Sequence, residues 1–176
     1  MPEQRPDHID EILAQWRRER PELNVSPLGI VGRLLYTAHL VDAALGERLA
    51  AHDLQAGWFD LLAALRRAGE PFELNPTQLM RATMVSSGGM TKRLDRLAAT
   101  GLVERRPDPT DRRGVLVGLT PKGKAVIDSA IETHLANEEF LLRSLEPTDR
   151  RALDNLLRRL LAGVEQSADA DDQADD

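Results

Sequence analysis

Residues 86–113, SSGGMTKRLDRLAATGLVERRPDPTDRR, constrain the fold more than any other stretch of the chain. Ser86, Ser87 and two glycines open a helix in which Met90, Leu94 and Leu97 share one face. Thr91, Lys92, Asp95 and Arg96 are left for the other. Gly101 is placed to stop that helix, because glycine tolerates the left-handed backbone of the residue after a C-cap. A strand is expected over residues 102–106, then a turn rich in Pro, Asp and Arg, then a second strand over residues 114–119. A helix followed by a β-ribbon with arginines at its tip suits two adjacent grooves of duplex DNA.

The overall charge of −6 is unusual for such a partner, but its distribution matters more than its sum. The last eight residues carry five Asp and no base, and an acidic, disordered tail is expected over residues 166–176. Within residues 86–113 seven Lys and Arg face four Asp and Glu, so the local balance is basic. At 176 residues, 41% hydrophobic and 30% charged, the chain suits one well-buried domain. It has no cysteine, which excludes disulfides, thiolate metal sites and thiol redox sensing. No apolar run reaches the roughly 18–20 residues of a membrane span and no signal peptide is evident, so a cytoplasmic protein without membrane contact is expected.

From the N-terminus, residues 7–20 read as a short helix with Ile9, Ile12, Leu13 and Trp16 on one stripe. It is too short to stand alone and must dock on the main body. By pattern, Trp16 is a packing residue. Three later helices open with a capping residue followed by proline, at Ser26-Pro27, Asn75-Pro76 and Thr120-Pro121. Asn75 and Gln78 also have capping-box spacing. Helices are expected over residues 27–51, 55–68, 76–82, 121–143 and 148–164. The stripe Val31, Leu34, Leu35, Ala38, Val41, Leu45 and Leu49 reads as buried on more than one side. Helix, turn, helix and strand pair make the winged helix-turn-helix plan over residues 55–119. The fold class is therefore mostly α with a small β-wing. The leucine-dense helices over residues 27–51 and 121–164 are expected to make a homodimer.

No nucleophile–base arrangement, phosphate loop or dinucleotide fingerprint is present, and His8, His39, His52 and His134 lack metal-ligand spacing. Neither an enzyme nor a bound metal or cofactor is expected. On the reading head, Thr91, Lys92 and Arg96 are the candidates for bases and phosphates, with Ser86, Ser87, Thr77 and Gln78 on the backbone. Arg112 and Arg113 are placed to enter the minor groove from the wing tip, with Asp111 close enough to orient one of them. The partner would be a pseudo-palindromic DNA duplex.

The run DPTDRRG followed by LTPKGKAVI closely resembles the wing and following helix of the MarR family, over residues 26–164. The resemblance implies a dimeric winged-helix transcription regulator, most often a repressor released by a small ligand. The stretch IDEILAQWRRERPELNVSPLGIVGRL is further similar to the added helix and linker of the urate-responsive branch, which marks residues 7–20 as the added helix. That branch implies a ligand site at Trp16, Asp60, Arg93 and Arg105. Urate is a planar anion, for which an arginine supplies a fork of donors and an aromatic ring a cover. Asp60, within a mostly apolar helix face, is expected to pair with Arg93 or Arg105 when no ligand is bound. Two other readings stay open. The ligand could be another aromatic acid or a phenol, or the chain could be a winged-helix module that binds protein.

Overall fold

The computed structural model describes residues 5–83, 89–111 and 113–174, which divide into two compact units, Met1–His134 and Leu135–Asp176. The first opens with α1 (His8–Glu19). Asp7 caps it by accepting the Asp10 N–H at 2.9 Å, and Asp10 accepts the Asp7 N–H in return at 3.0 Å. Ile9 and Leu13 are buried against α2 (Ser26–Leu49). Gly29 and Gly32 allow that approach: a Cβ at either would come 3.2 Å from Leu13 Cδ1 or 3.4 Å from Ile9. Arg33 of α2 then reaches back to Asp7 at 2.7 Å and to Asp10 at 2.5 Å, tying the docked helix at its start.

Two expectations for α2 are corrected. Ser26 does not cap it. Its N–H and Oγ–H both donate to Asn24 Oδ1, at 3.1 and 2.8 Å, and the helix starts at Ser26 with Pro27 in its first turn. Nor is the first half of the apolar stripe buried within the chain, since Ile30 and Leu35 are 69% and 65% exposed and Val31, Leu34 and Leu40 are also exposed; only Leu49, at its end, enters the core. By length and composition Ser26–His52 is also apolar enough to cross a membrane, at a mean hydropathy of 1.3. Arg33, Asp42, Glu47 and Arg48 interrupt the segment, so no unbroken apolar run marks it in the sequence. An amphipathic helix with one broad apolar face passes the same test.

A 3₁₀ turn leads into α3 (Ala56–Arg67), whose Phe59, Leu61, Leu62 and Leu65 form the centre of the core. Leu49, Leu79, Leu97, Val117 and Ile127 close around them from α2, from the later helices and from the sheet. After α3 the chain turns at Gly69 (φ 79°) and Phe72 (φ 61°). The Phe72 ring is covered by the guanidinium of Arg66 at 4.9 Å and the ammonium of Lys124 at 5.8 Å. Both cations also hold Asp128, at 2.6 and 2.7 Å.

Next come β1 (Glu73–Leu74), α4 (Pro76–Ala82), α5 (Met90–Ala99), β2 (Val103–Pro107) and β3 (Val115–Leu119). The strands form an antiparallel sheet in the order β1-β3-β2, with Glu73 opposite Gly118 and Arg105 opposite Val117. The sequence reading did not anticipate β1, because two residues carry no periodicity of their own. Asn75 and Gln78 make the expected capping box, both bonds at 2.9 Å.

Thr120 Oγ1 accepts the Gly123 N–H at 3.0 Å and donates to the Gly101 carbonyl at 2.7 Å, seating α6 (Pro121–Leu141) on the end of the α5–β2 turn. In the second unit, a 3₁₀ turn precedes α7 (Pro147–Ala174). Its Leu156, Leu157, Leu160, Leu161 and Val164 are exposed. The backbone is helical to Ala174, into the acidic stretch of residues 166–176. After Gly163 no Gly or Pro interrupts the helix, and extending a helix that is already nucleated adds one hydrogen bond for each residue fixed.

Candidate nucleic-acid interface

The reading helix α5 is held by its apolar face: Met90, Leu94 and Leu97 are buried, and Gly89 (φ 90°) and Gly101 (φ 71°) bracket it. Thr91, Lys92, Asp95 and Arg96 all lie off that buried face, as the 3.6-residue period requires. Thr77 and Gln78 sit exposed in the first turn of α4. Gln78 Oε1 is engaged in the capping box, so its amide N–H groups are what it can offer a phosphate. Ser86, Ser87 and Arg112 lie outside the described residues.

The tip of the ribbon is built by carboxylates. Asp108 Oδ1 accepts the N–H and the hydroxyl of Thr110 at 2.8 and 2.7 Å, which holds its carboxyl below the usual range. Asp111 Oδ1 accepts the main-chain N–H of Arg113 at 2.9 Å. Asp111 therefore shapes the turn that presents Arg113, and does so through the backbone.

Successive residues of a strand face opposite sides, and β2 uses this to split its two arginines. Arg105 turns toward the reading helix and pairs with Asp95 at 2.7 Å. Arg106 turns the other way and makes a two-pronged contact with Glu73 of β1, Nε donating to Oε1 at 2.6 Å and Nη2 to Oε2. The Glu73 side chain crosses β3 above Gly118, where a Cβ would lie 2.8 Å from Glu73 Cγ. Arg106 holds the Glu73 carboxyl below its ordinary value. Neither carboxylate was named from the sequence as an arginine's partner, although the period of two would have separated the arginines.

The four residues that the resemblance assigns to a ligand are only partly brought together. Asp60 is half-buried on α3, and burial pushes its carboxyl above the ordinary range, while the charges of His134, Arg67 and Arg93 pull it down. No arginine is in ion-pair contact with it among the described residues, so the expected pairing with Arg93 or Arg105 is corrected. Arg105 is held by Asp95. Arg93 lies under the first turn of α3, where a Cβ on Gly57 would come 3.1 Å from its Nε. Its Nη1 is buried with no hydrogen-bond partner among the described residues. Trp16 stands on α1, 44% exposed. His134, which the sequence left unassigned, stacks on Phe59 with ring centroids 4.3 Å apart. Among the described residues no three His, Asp or Glu side chains group to hold a metal.

Two helices close in sequence, the second amphipathic and followed by a β-ribbon packed on its end, define a winged helix-turn-helix protein. The chain belongs to the MarR family, whose profile matches residues 52–114. It is 38% identical to the HTH-type transcriptional regulator PecS of Dickeya dadantii, over 86% of this chain and 92% of that protein. It is similar to the structure of a mutant MarR from E. coli complexed with operator DNA. The TM-score there is 0.67 at 30% identity, over 83% of this chain and 97% of that one. It is also similar to Bordetella bronchiseptica BpsR, whose DNA binding is regulated by 6-hydroxynicotinic acid. That match has a TM-score of 0.65 at 30% identity, over 74% and 97% of the two chains.

Proposed function

We propose that this protein is a cytoplasmic, homodimeric transcriptional regulator, a repressor that leaves a pseudo-palindromic operator when urate or a similar small aromatic anion binds. In this reading residues 26–164 form the regulator domain, and α5 enters the major groove with Thr91, Lys92 and Arg96. Ser86, Ser87, Thr77 and Gln78 meet phosphates, and Arg112 and Arg113 enter the minor groove. The exposed apolar faces of α2 and α7 are each covered by a second copy, which places two reading heads on a twofold site. Relatives that regulate transcription support this reading, and it assigns the chain no catalytic step and no cofactor.

The observation that carries the ligand response is the Nη1 of Arg93, buried with no hydrogen-bond partner among the described residues, on a guanidinium whose charge reaches the half-buried Asp60. A buried donor without an acceptor is costly, and a planar anion with ring carbonyls supplies the missing acceptor. Its charge would also repel Asp60. Because Arg93 belongs to α5, a shift there re-aims the reading helix, and a coupling of about 1–3 kcal/mol links anion and DNA reciprocally. Trp16 and Arg105 complete the proposed site. The test is titration of urate, beside salicylate and 6-hydroxynicotinate, followed by thermal shift and tryptophan fluorescence on the parent, Trp16→Phe and Arg93→Ala. Saturable urate quenching, lost in both variants, is expected. Binding that persists in Arg93→Ala removes this site, and a preference for another acid changes the ligand within the same site.

A further inference from the structure

Arg105 and Arg106 are neighbours in sequence, yet one is anchored to the reading helix α5 and the other to strand β1, which leads into α4. Arg105 holds Asp95, in the middle of the reading helix α5. Arg106 holds Glu73, two residues before the capping residue of α4. The ribbon is therefore gripped from both faces of β2, and the two grips are unequal. The Glu73 side chain is only 13% exposed and receives two prongs, whereas Asp95 is 55% exposed and receives one bond from an Arg105 that is itself 37% exposed. Separating the first pair gives up two charge-assisted bonds at once, while the second pair, more exposed and held by one bond, can exchange its partner for water or another anion at less expense.

We propose that these arginines form a two-sided clamp that fixes the β-ribbon against the reading helix, permanent at Glu73 and releasable at Asp95. An anion that takes Arg105 opens the Asp95 side alone, and the ribbon then swings about the Glu73–Arg106 side. The regulatory half of this inference rests on the proposed ligand site at Arg105. The clamp itself rests only on the two ion pairs. Asp95 is thus a positioning residue, acting through Arg105.

Asp95→Asn separates this from simple electrostatics, because it removes a negative charge from the DNA-facing side and by charge alone should tighten DNA binding. The clamp requires the opposite. In the full-length parent and variant, amide exchange of β2 and β3 is expected to speed up about three- to fivefold, the factor an exposed ion pair supports. Affinity for a duplex selected by the parent from a random library is expected to fall by a similar factor. The charge-reversed pair Asp95→Arg with Arg105→Asp should return the exchange rates to those of the parent. Unchanged exchange in Asp95→Asn, or DNA binding as tight as the parent's, overturns the clamp. If the parent selects no duplex, the DNA reading fails while the exchange measurement still decides the clamp. If Asp95→Asn behaves as expected but urate leaves β2 and β3 exchange unchanged in a parent that binds it, the release step is overturned and the static clamp stands.

Discussion

Asp60 is the residue at which burial and the surrounding charges pull in different directions. Burial raises its pKa, so the folded chain binds its proton more tightly than the unfolded chain does. The sign follows: the buried charge weakens the fold at neutral pH. Stability is regained as pH falls through the native value toward about 4, the ordinary carboxylate range. Asp60→Asn should therefore melt at a higher temperature than the parent near neutral pH, and the gap should shrink as pH falls to about 5. A lower melting temperature for the variant at neutral pH would mean that attraction to His134, Arg67 and Arg93 outweighs burial. Asp7, Asp10, Glu73 and Asp128 behave oppositely. Their cationic partners and N–H donors lower their pKa values, so what they contribute is present above the ordinary range and is lost as pH drops through the lowered values.

Among the elements, the joint between the α5–β2 turn and α6 is the tightest. A Cβ at Gly123 would fall 1.9 Å from the Leu102 carbonyl oxygen, a clash with backbone that no rotamer relieves. Gly123→Ala should cost about 2–4 kcal/mol in urea unfolding, and a loss below about 1 kcal/mol would mean that α6 slides off the turn freely. The start of this joint was legible in the sequence, because Thr120-Pro121 is a local cap signal that depends on no distant residue. The same holds for Asn75 with Gln78 and for the stripe Met90, Leu94 and Leu97. What was not legible depended on partners beyond the local pattern. β1 exists because β3 pairs with it, and Ser26 does not cap because it is already the first residue of α2, with its N–H and hydroxyl both donating to the Asn24 side chain. Asp60 was read as half of an ion pair, because composition shows that a carboxylate is buried but not which cation comes near. The tips of the arginines 105 and 106 could be assigned only once their strand had neighbours on both faces.

For the whole molecule the deciding quantity is apolar surface without a cover inside the chain. Leu157 and Leu160 of α7 are exposed in one copy, in a pattern that reads as the seam of a helical interface. Leu157→Glu with Leu160→Glu should convert the dimer to a monomer in light scattering and lower affinity for the selected duplex at least about tenfold, since one reading head then binds alone. A variant that remains dimeric would place the interface elsewhere. The two anchored arginines also have a consequence for how such a regulator finds its site. With Arg105 and Arg106 paired to carboxylates and an overall charge of −6, less positive charge is left for indiscriminate attraction to phosphate. For a regulator of the proposed kind, the rest of a chromosome would then sequester fewer molecules, and a smaller stock of the protein would hold an operator.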